Sequence, residues 1–160
     1  MAEAGILCRM RIAHLSLALA AAAALAGCAS APGPDPRLGL AGTQWQLRAI
    51  TSMDDAQGRT TVHEPQRFKL RFDANGHASL QLDCNRGFAS WQARPAADGL
   101  TGSLSFGPLA ATRALCPQPG LDARIVRDLP FVRSYRLQDG RLYLSLMADG
   151  GLYEWEPAGR

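Results

Sequence analysis

Charged and apolar residues alternate through Arg67-Phe68-Lys69-Leu70-Arg71-Phe72, which puts Phe68, Leu70 and Phe72 on one face of a half-buried strand. Asp73-Ala74-Asn75-Gly76 follows, and Asn-Gly is a strong hairpin signal, so residues 77–82 are predicted as the return strand. Near the carboxyl end, residues 131–137 lead through Gln138-Asp139-Gly140 into residues 141–147, and Asp149-Gly150 then precedes residues 152–155. These three segments read as an antiparallel meander. In its last strand Tyr153 and Trp155 share one face, opposite Leu152 and Glu154, and both faces cannot be buried equally.

The period changes once. Leu121, Ile125, Val126 and Leu129 fall on one helical face and Arg124, Arg127 and Asp128 on the other, with Pro117 and Pro119 before the run and Pro130 ending it. So short a helix is unstable alone and has to pack against the strands. The expected architecture is α+β: an antiparallel sheet curled toward an open barrel, with one short helix packed on it.

The first 38 residues show neither period. Residues 15–26 form an alanine-dominated apolar run broken only by Ser16, shorter than the roughly 20 residues needed to span a bilayer. With Arg9 and Arg11 upstream it reads as a secretory leader. The run closes on Leu25-Ala26-Gly27-Cys28, which resembles the lipobox of bacterial lipoproteins, so Cys28 is expected to carry lipid. A buried cysteine in an ordinary core helix is the competing reading. Met10-Arg11 would open a tidier leader than Met1, and Met10 is the expected start. Ala29, where an aspartate would favour inner-membrane retention, suggests the periplasmic face of the outer membrane. Residues 29–37 hold three prolines and no hydrophobic pattern, as a tether would. The expected organisation is a signal peptide at 1–27, lipidated cysteine and tether at 28–38, and a β-rich domain at 39–160.

Four cysteines then divide. Cys8 leaves with the leader, Cys28 takes lipid, and Cys84 and Cys116 remain as an even pair in an oxidising compartment, where a disulfide is expected. Zinc would need two more ligands, and the mature chain offers only His63 and His77 with no Cys-x-x-Cys spacing. Two buried free thiols are the remaining alternative. A net charge of +3 with no basic run gives no nucleic-acid stripe, and 47% hydrophobic residues allow a packed core. Neither a phosphate-cradling glycine loop nor a dinucleotide fingerprint occurs. His63 lies in the polar stretch 54–66 and His77 beside a turn, a poor basis for a triad, while Asp54-Asp55 reads as a solvated loop. No enzymatic activity and no cofactor are expected.

Three motifs occur in order: Gly42-Thr43-Gln44-Trp45-Gln46-Leu47; Cys84-Asn85-Arg86-Gly87-Phe88-Ala89-Ser90-Trp91; and Phe106-Gly107-Pro108-Leu109-Ala110-Ala111-Thr112-Arg113-Ala114-Leu115-Cys116. Together, over residues 40–155, they resemble META domains, the family of the heat-shock lipoprotein HslJ. Asp83 stands where a glycine is common and Gly87 where an aromatic is; both are expected in a turn-like region. The resemblance implies a small, non-enzymatic envelope domain tied to stress tolerance, acting by binding or structural support. Its fold is also similar to pilot lipoproteins, which suggests as an alternative a pilot- or chaperone-like module holding an acyl chain or extended peptide in a barrel crevice near Leu121 and Ile125. Partners would then be the membrane through the anchor, and an envelope protein, lipid or peptide. Asn85 is expected to make a turn contact and Arg86 to pair with Asp83 or Asp98, although an exposed arginine there can also bind a carboxylate or phosphate. Thr112 and Arg113 are expected to pin the crossover beside Cys116.

Overall fold

The computed structural model describes residues 39–53, 58–116, 120–148 and 150–159. The leader, Cys28 and the tether lie outside the described residues, as do Asp54, Asp55, Pro117, Pro119 and Asp149. Alternation builds the first hairpin: β3 (Phe68–Phe72) and β4 (His77–Leu82) run in register from Phe68 opposite Leu82 to Phe72 opposite Ala78. Gly76, at φ 82°, closes the turn by donating its N–H to the Asp73 carbonyl at 3.2 Å. The meander is also present, as β8 (Val132–Gln138), β9 (Arg141–Leu146) and β10 (Leu152–Pro157). Asp139 and Gly140 both take positive φ in its first turn.

The remaining strands close the sheet on itself. β1 (Gln44–Thr51) pairs with β3 and the short β2 (Arg59–Thr61) on one side and with β10 on the other. β5 (Asn85–Pro95) joins β4 to β6 (Thr101–Phe106), and β6 joins β8. The path β1-β3-β4-β5-β6-β8-β9-β10 therefore returns to β1. The expected open barrel is corrected to a closed one of eight antiparallel strands. Pairing of β1 with β10 from Trp45 opposite Pro157 to Thr51 opposite Leu152 removes the seam and both exposed edges. With one eight-residue α-helix among the described residues, α1 (Leu121–Asp128), the fold is mostly β rather than α+β in the strict sense.

Inward positions fill the barrel with Leu47, Leu70, Phe72, Leu80, Leu82, Leu104, Leu142, Leu144 and Trp155, all buried. Phe72 meets Trp91 edge-on at 5.1 Å and lies 5.9 Å from Phe106. The helix caps this core. Ile125 and Leu129 are buried against Val132, Leu144, Tyr153 and Trp155, around a space of only about 10 Å³. Pro130 does not stop the chain abruptly but lies inside a 3-10 turn, Leu129–Phe131, that carries it into β8. The Tyr153 hydroxyl donates to Asp128 Oδ2 at 2.7 Å, tying the helix end to β10. Burial, then the hydrogen bond and charge of Asp128, push the Tyr153 phenol far above its ordinary value, so it remains a donor.

Both faces of β10 are in fact covered. Tyr153 and Trp155 face the core, and Glu154 on the outer face is buried beneath Arg59 and Arg141, which both pair with its carboxylate. Burial alone would raise the Glu154 carboxyl, but hydrogen bonding and charge from Arg59, joined by Arg141, outweigh it and hold the pKa below its ordinary 4.5. A depressed folded-state pKa adds stability above the unfolded value, and that increment is lost as pH falls through the folded value. Glu154→Gln is expected to cost about 1 kcal/mol at neutral pH, because the two arginines remain solvated. The gap between the urea midpoints of the two proteins should close as the pH falls below 4.5. A gap that stays constant across pH would mean that the carboxylate charge is irrelevant.

Candidate functional site

The turn from β4 to β5 is the starting point. Asp83 and Cys84 span the turn between the paired residues Leu82 and Asn85. Asp83 sits at φ 60° while Cys84 does not share the positive φ. This is the pattern of a turn whose first central residue favours glycine, so the aspartate stands at a position glycine would occupy without strain. Its side chain is buried and paired with Arg67, which also holds Glu64 at 3.0 Å. Glu64 and then Asp83 raise the Arg67 pKa against the opposing effect of burial. Arg67 therefore takes the partnership expected of Arg86. Asp98, the other expected partner, instead accepts from the Leu100 and Thr101 N–H groups at 2.9 and 3.0 Å.

Cys84 forms a disulfide with Cys116, with Cα atoms 5.6 Å apart. Beside it Asn85 is 3% exposed and fully engaged. Its Nδ2 donates to the Ala114 carbonyl and to Asp122 Oδ2, each at 3.0 Å. Its Oδ1 accepts from the Ala114 N–H at 2.8 Å and the Thr112 hydroxyl at 2.9 Å. Thr112 Oγ1 in turn accepts from the Arg86 N–H at 3.0 Å. The expected local turn contact of Asn85 is thus replaced by a bridge across 29 residues that holds the crossover and the first turn of α1 together. Thr112 pins the crossover. Arg113 does not, since its side chain lies exposed on the lip of a groove.

Gly87 is not in the turn but faces inward on β5. A Cβ there would lie 3.1 Å from Leu109 Cδ1 and 3.3 Å from Leu82 Cδ1, so Leu109 occupies the space a larger residue would need. The short β7 (Ala110–Ala111) pairs with β5 and with no other strand among the described residues. Between residues 109–115 and α1 runs an open groove of about 610 Å³. Leu109, Ala111, Ala123 and Val126 line it, with Arg113 and Arg127 on its lip. Leu115, 94% exposed, projects beside it. Neither the groove nor Asp122 and Ala114 as Asn85 partners could be read from the sequence, because they depend on where the crossover lands. The two histidines are not brought together. His63 lies in a shallow pocket with Val62, Phe68 and Leu121, and His77 opens β4, where its N–H donates to Asn75 Oδ1.

This barrel, disulfide and crossover lie within residues 38–156, which match the family described as META domain. The chain belongs to the META-domain family. The META domain thus spans from the residues leading into β1 to all but the last residue of β10. No curated protein matches the chain. Among solved structures, the crystal structure of a DUF4847 family protein from Bacteroides vulgatus is similar at 12% identity and a TM-score of 0.49. The alignment covers 76% of this chain and 96% of that one.

Proposed function

We propose that this META domain is a non-enzymatic binding module of the bacterial envelope. It would be carried by a lipid on Cys28 at the periplasmic face of the outer membrane and would contribute to stress tolerance by holding a partner. The observation that supports the binding role is the groove beside α1. Leu109, Ala111, Ala123 and Val126 give it an apolar stretch beside the already bonded Asn85, Thr112 and Asp122, and Arg113 on its lip has no ion pair among the described residues. Asn85 and Thr112 of the family motifs are spent on holding the crossover.

The groove also favours the pilot- or chaperone-like reading, with an extended, carboxylate-bearing peptide as the occupant. An acyl chain would use the apolar stretch alone. A peptide would also use the cation of Arg113 and the edge of β7 that lacks a strand partner, as strand addition requires; Arg127 is already paired with Asp128 at 3.0 Å. The space under the helix is too small for a peptide, about 10 Å³, at the lower limit for one water.

Leu121 and Ile125 are therefore not the positions at which to test binding. Ile125 is 1% exposed in the core, and Leu121 lines the separate pocket near His63. Ala123 and Leu115 are exposed groove residues that a charge should leave folded. A photo-crosslinking residue at position 115 is expected to give a discrete adduct in cells that Ala123→Asp and Arg113→Glu abolish, with melting unchanged. The same adduct from position 94, on β5 away from the groove, would contradict the reading.

A further inference from the structure

The charge on this barrel is unevenly placed. Among β1, β3, β4 and β5, which are neighbours in the sheet, there is no aspartate or glutamate. Their outward positions carry Arg48, Lys69, Arg71 and Arg86, whereas β10 carries Glu154 and Glu156. Strand register sets these cations in rows. One row runs Gln46, Lys69, Gln81, Arg86 across four adjacent strands, and the next runs Gln44, Arg71, Ser79, Phe88. Arg48 is neutralised by Glu156 at 3.2 Å and Arg71 by Asp73 at 2.7 Å. Lys69 and Arg86 have no ion pair among the described residues. Between them and the end of the barrel stands Phe88, 61% exposed, in a shallow depression of about 300 Å³ lined also by Lys69, Arg71 and Arg86.

The chain arrives at this end of the patch. The Gly42 N–H donates to the Phe72 carbonyl at 2.7 Å and the Phe72 N–H to the Thr43 carbonyl at 3.0 Å, so the segment entering β1 runs beside the end of β3 next to Arg71. Residues 29–41 separate Cys28 from Gly42. At no more than about 3 Å per residue they keep this end of the patch within roughly 40 Å of whatever Cys28 is attached to.

We infer that the outer face of β1, β3, β4 and β5 docks on an anionic lipid surface, with Lys69 and Arg86 meeting headgroup phosphates and Phe88 entering the interfacial layer. A free aromatic flanked by unneutralised cations is the combination that interfacial binding uses, and a short tether raises the local concentration of the face at the bilayer. The inference deepens the reading of Cys28 as a lipid anchor, and its test is kept independent of that anchor.

The mature chain, residues 28–160 with Cys28→Ser so that it carries neither leader nor acyl group, is titrated with vesicles of equimolar phosphatidylglycerol and phosphatidylcholine and with pure phosphatidylcholine. Binding is expected to the anionic vesicles only and to be lost in high salt. Each cation removed should weaken it about fivefold, so Lys69→Glu with Arg86→Glu should weaken it at least about 25-fold. Phe88→Ser should weaken it further. Arg136→Glu, on β8 across the barrel from β3, should leave it within a factor of about two. Lys69 and Arg86 face outward, so circular dichroism and melting should match the parent. Absence of binding to anionic vesicles, or binding indifferent to reversal at 69 and 86, overturns the inference and leaves the face to an acidic protein surface. Whether natural protein carries acyl groups on Cys28 is read separately by mass, so failure of the anchor and failure of the docking face are distinguishable.

Discussion

Asn85→Ala is expected to lower the unfolding free energy by about 3 to 4 kcal/mol, as read from urea denaturation at neutral pH. The estimate follows from what the substitution leaves behind. The N–H and C=O of Ala114, the Thr112 hydroxyl and the Asp122 carboxylate all lose a partner at once, in a place where the residue replaced is 3% exposed. Each group stranded in such a place costs about 1 to 3 kcal/mol, partly relieved where water can enter from the groove. Asn85→Asp is expected to cost nearly as much. It keeps an acceptor for Ala114 and Thr112 but loses both donated bonds and sets a second carboxylate against Asp122. A loss below about 1 kcal/mol for the alanine variant would show that crossover and helix hold their places without the amide.

Replacing Cys84 and Cys116 together by serine is expected on its own to cost about 3 to 4 kcal/mol, from the entropy of a loop with a sequence separation of 32. The cost should fall on the same region. Asn85 Nδ2 lies 3.3 Å from Cys116 Sγ, and the disulfide fixes the end of the crossover that Asn85 grips from its side chain. The two losses should therefore be less than additive in a double-mutant cycle, since once the crossover is released by one route the other has less to hold. Hydrogen exchange should show the change first in residues 109–116 and α1, with the β3–β4 hairpin still protected. Full additivity, or equal loss of protection in β3 and β4, would contradict a local clamp.

Much of this barrel is legible along the chain because its inward residues are large. Phe68, Leu70 and Phe72 announce β3, and Leu142 and Leu144 do the same for β9. β5 is hard to read for the opposite reason. Its inward positions Gly87 and Ala89 are small, so the alternation that marks a strand is faint although the strand is eleven residues long. Closure of the barrel was not legible, because pairing of β1 with β10 joins the two ends of the domain and leaves no local trace. The burial of Glu154 is similar: a glutamate on an outer face reads as solvated, and only the approach of Arg59 from β2 and Arg141 from β9 covers it.

At the candidate site, the sequence indicated the Cys84–Cys116 bridge and the role of Thr112 as the structure has them, but assigned Asn85, Arg86 and Arg113 other contacts. Asn85 is a habitual turn residue, yet the turn is made by Asp83 and Cys84, which frees Asn85 to reach across to Ala114. Arg86 follows it on the opposite face of β5 and so points outward, where Asp83 is out of play because Arg67 holds it. Strand alternation thus separates two neighbouring motif residues into two jobs, one internal clamp and one external cation. The groove beside α1 and the basic face beyond β7 are both consequences of that split.

The reading of this domain as an anchored envelope module stands or falls on the chemistry of its cysteines. The most direct test is the intact mass of the protein extracted from membranes, taken before and after reduction and alkylation. The account predicts a chain beginning at Cys28 with acyl groups added, no thiol that alkylates before reduction, and two, Cys84 and Cys116, that do so afterwards. An unlipidated mass that retains the leader, with thiols already reactive before reduction, would contradict it.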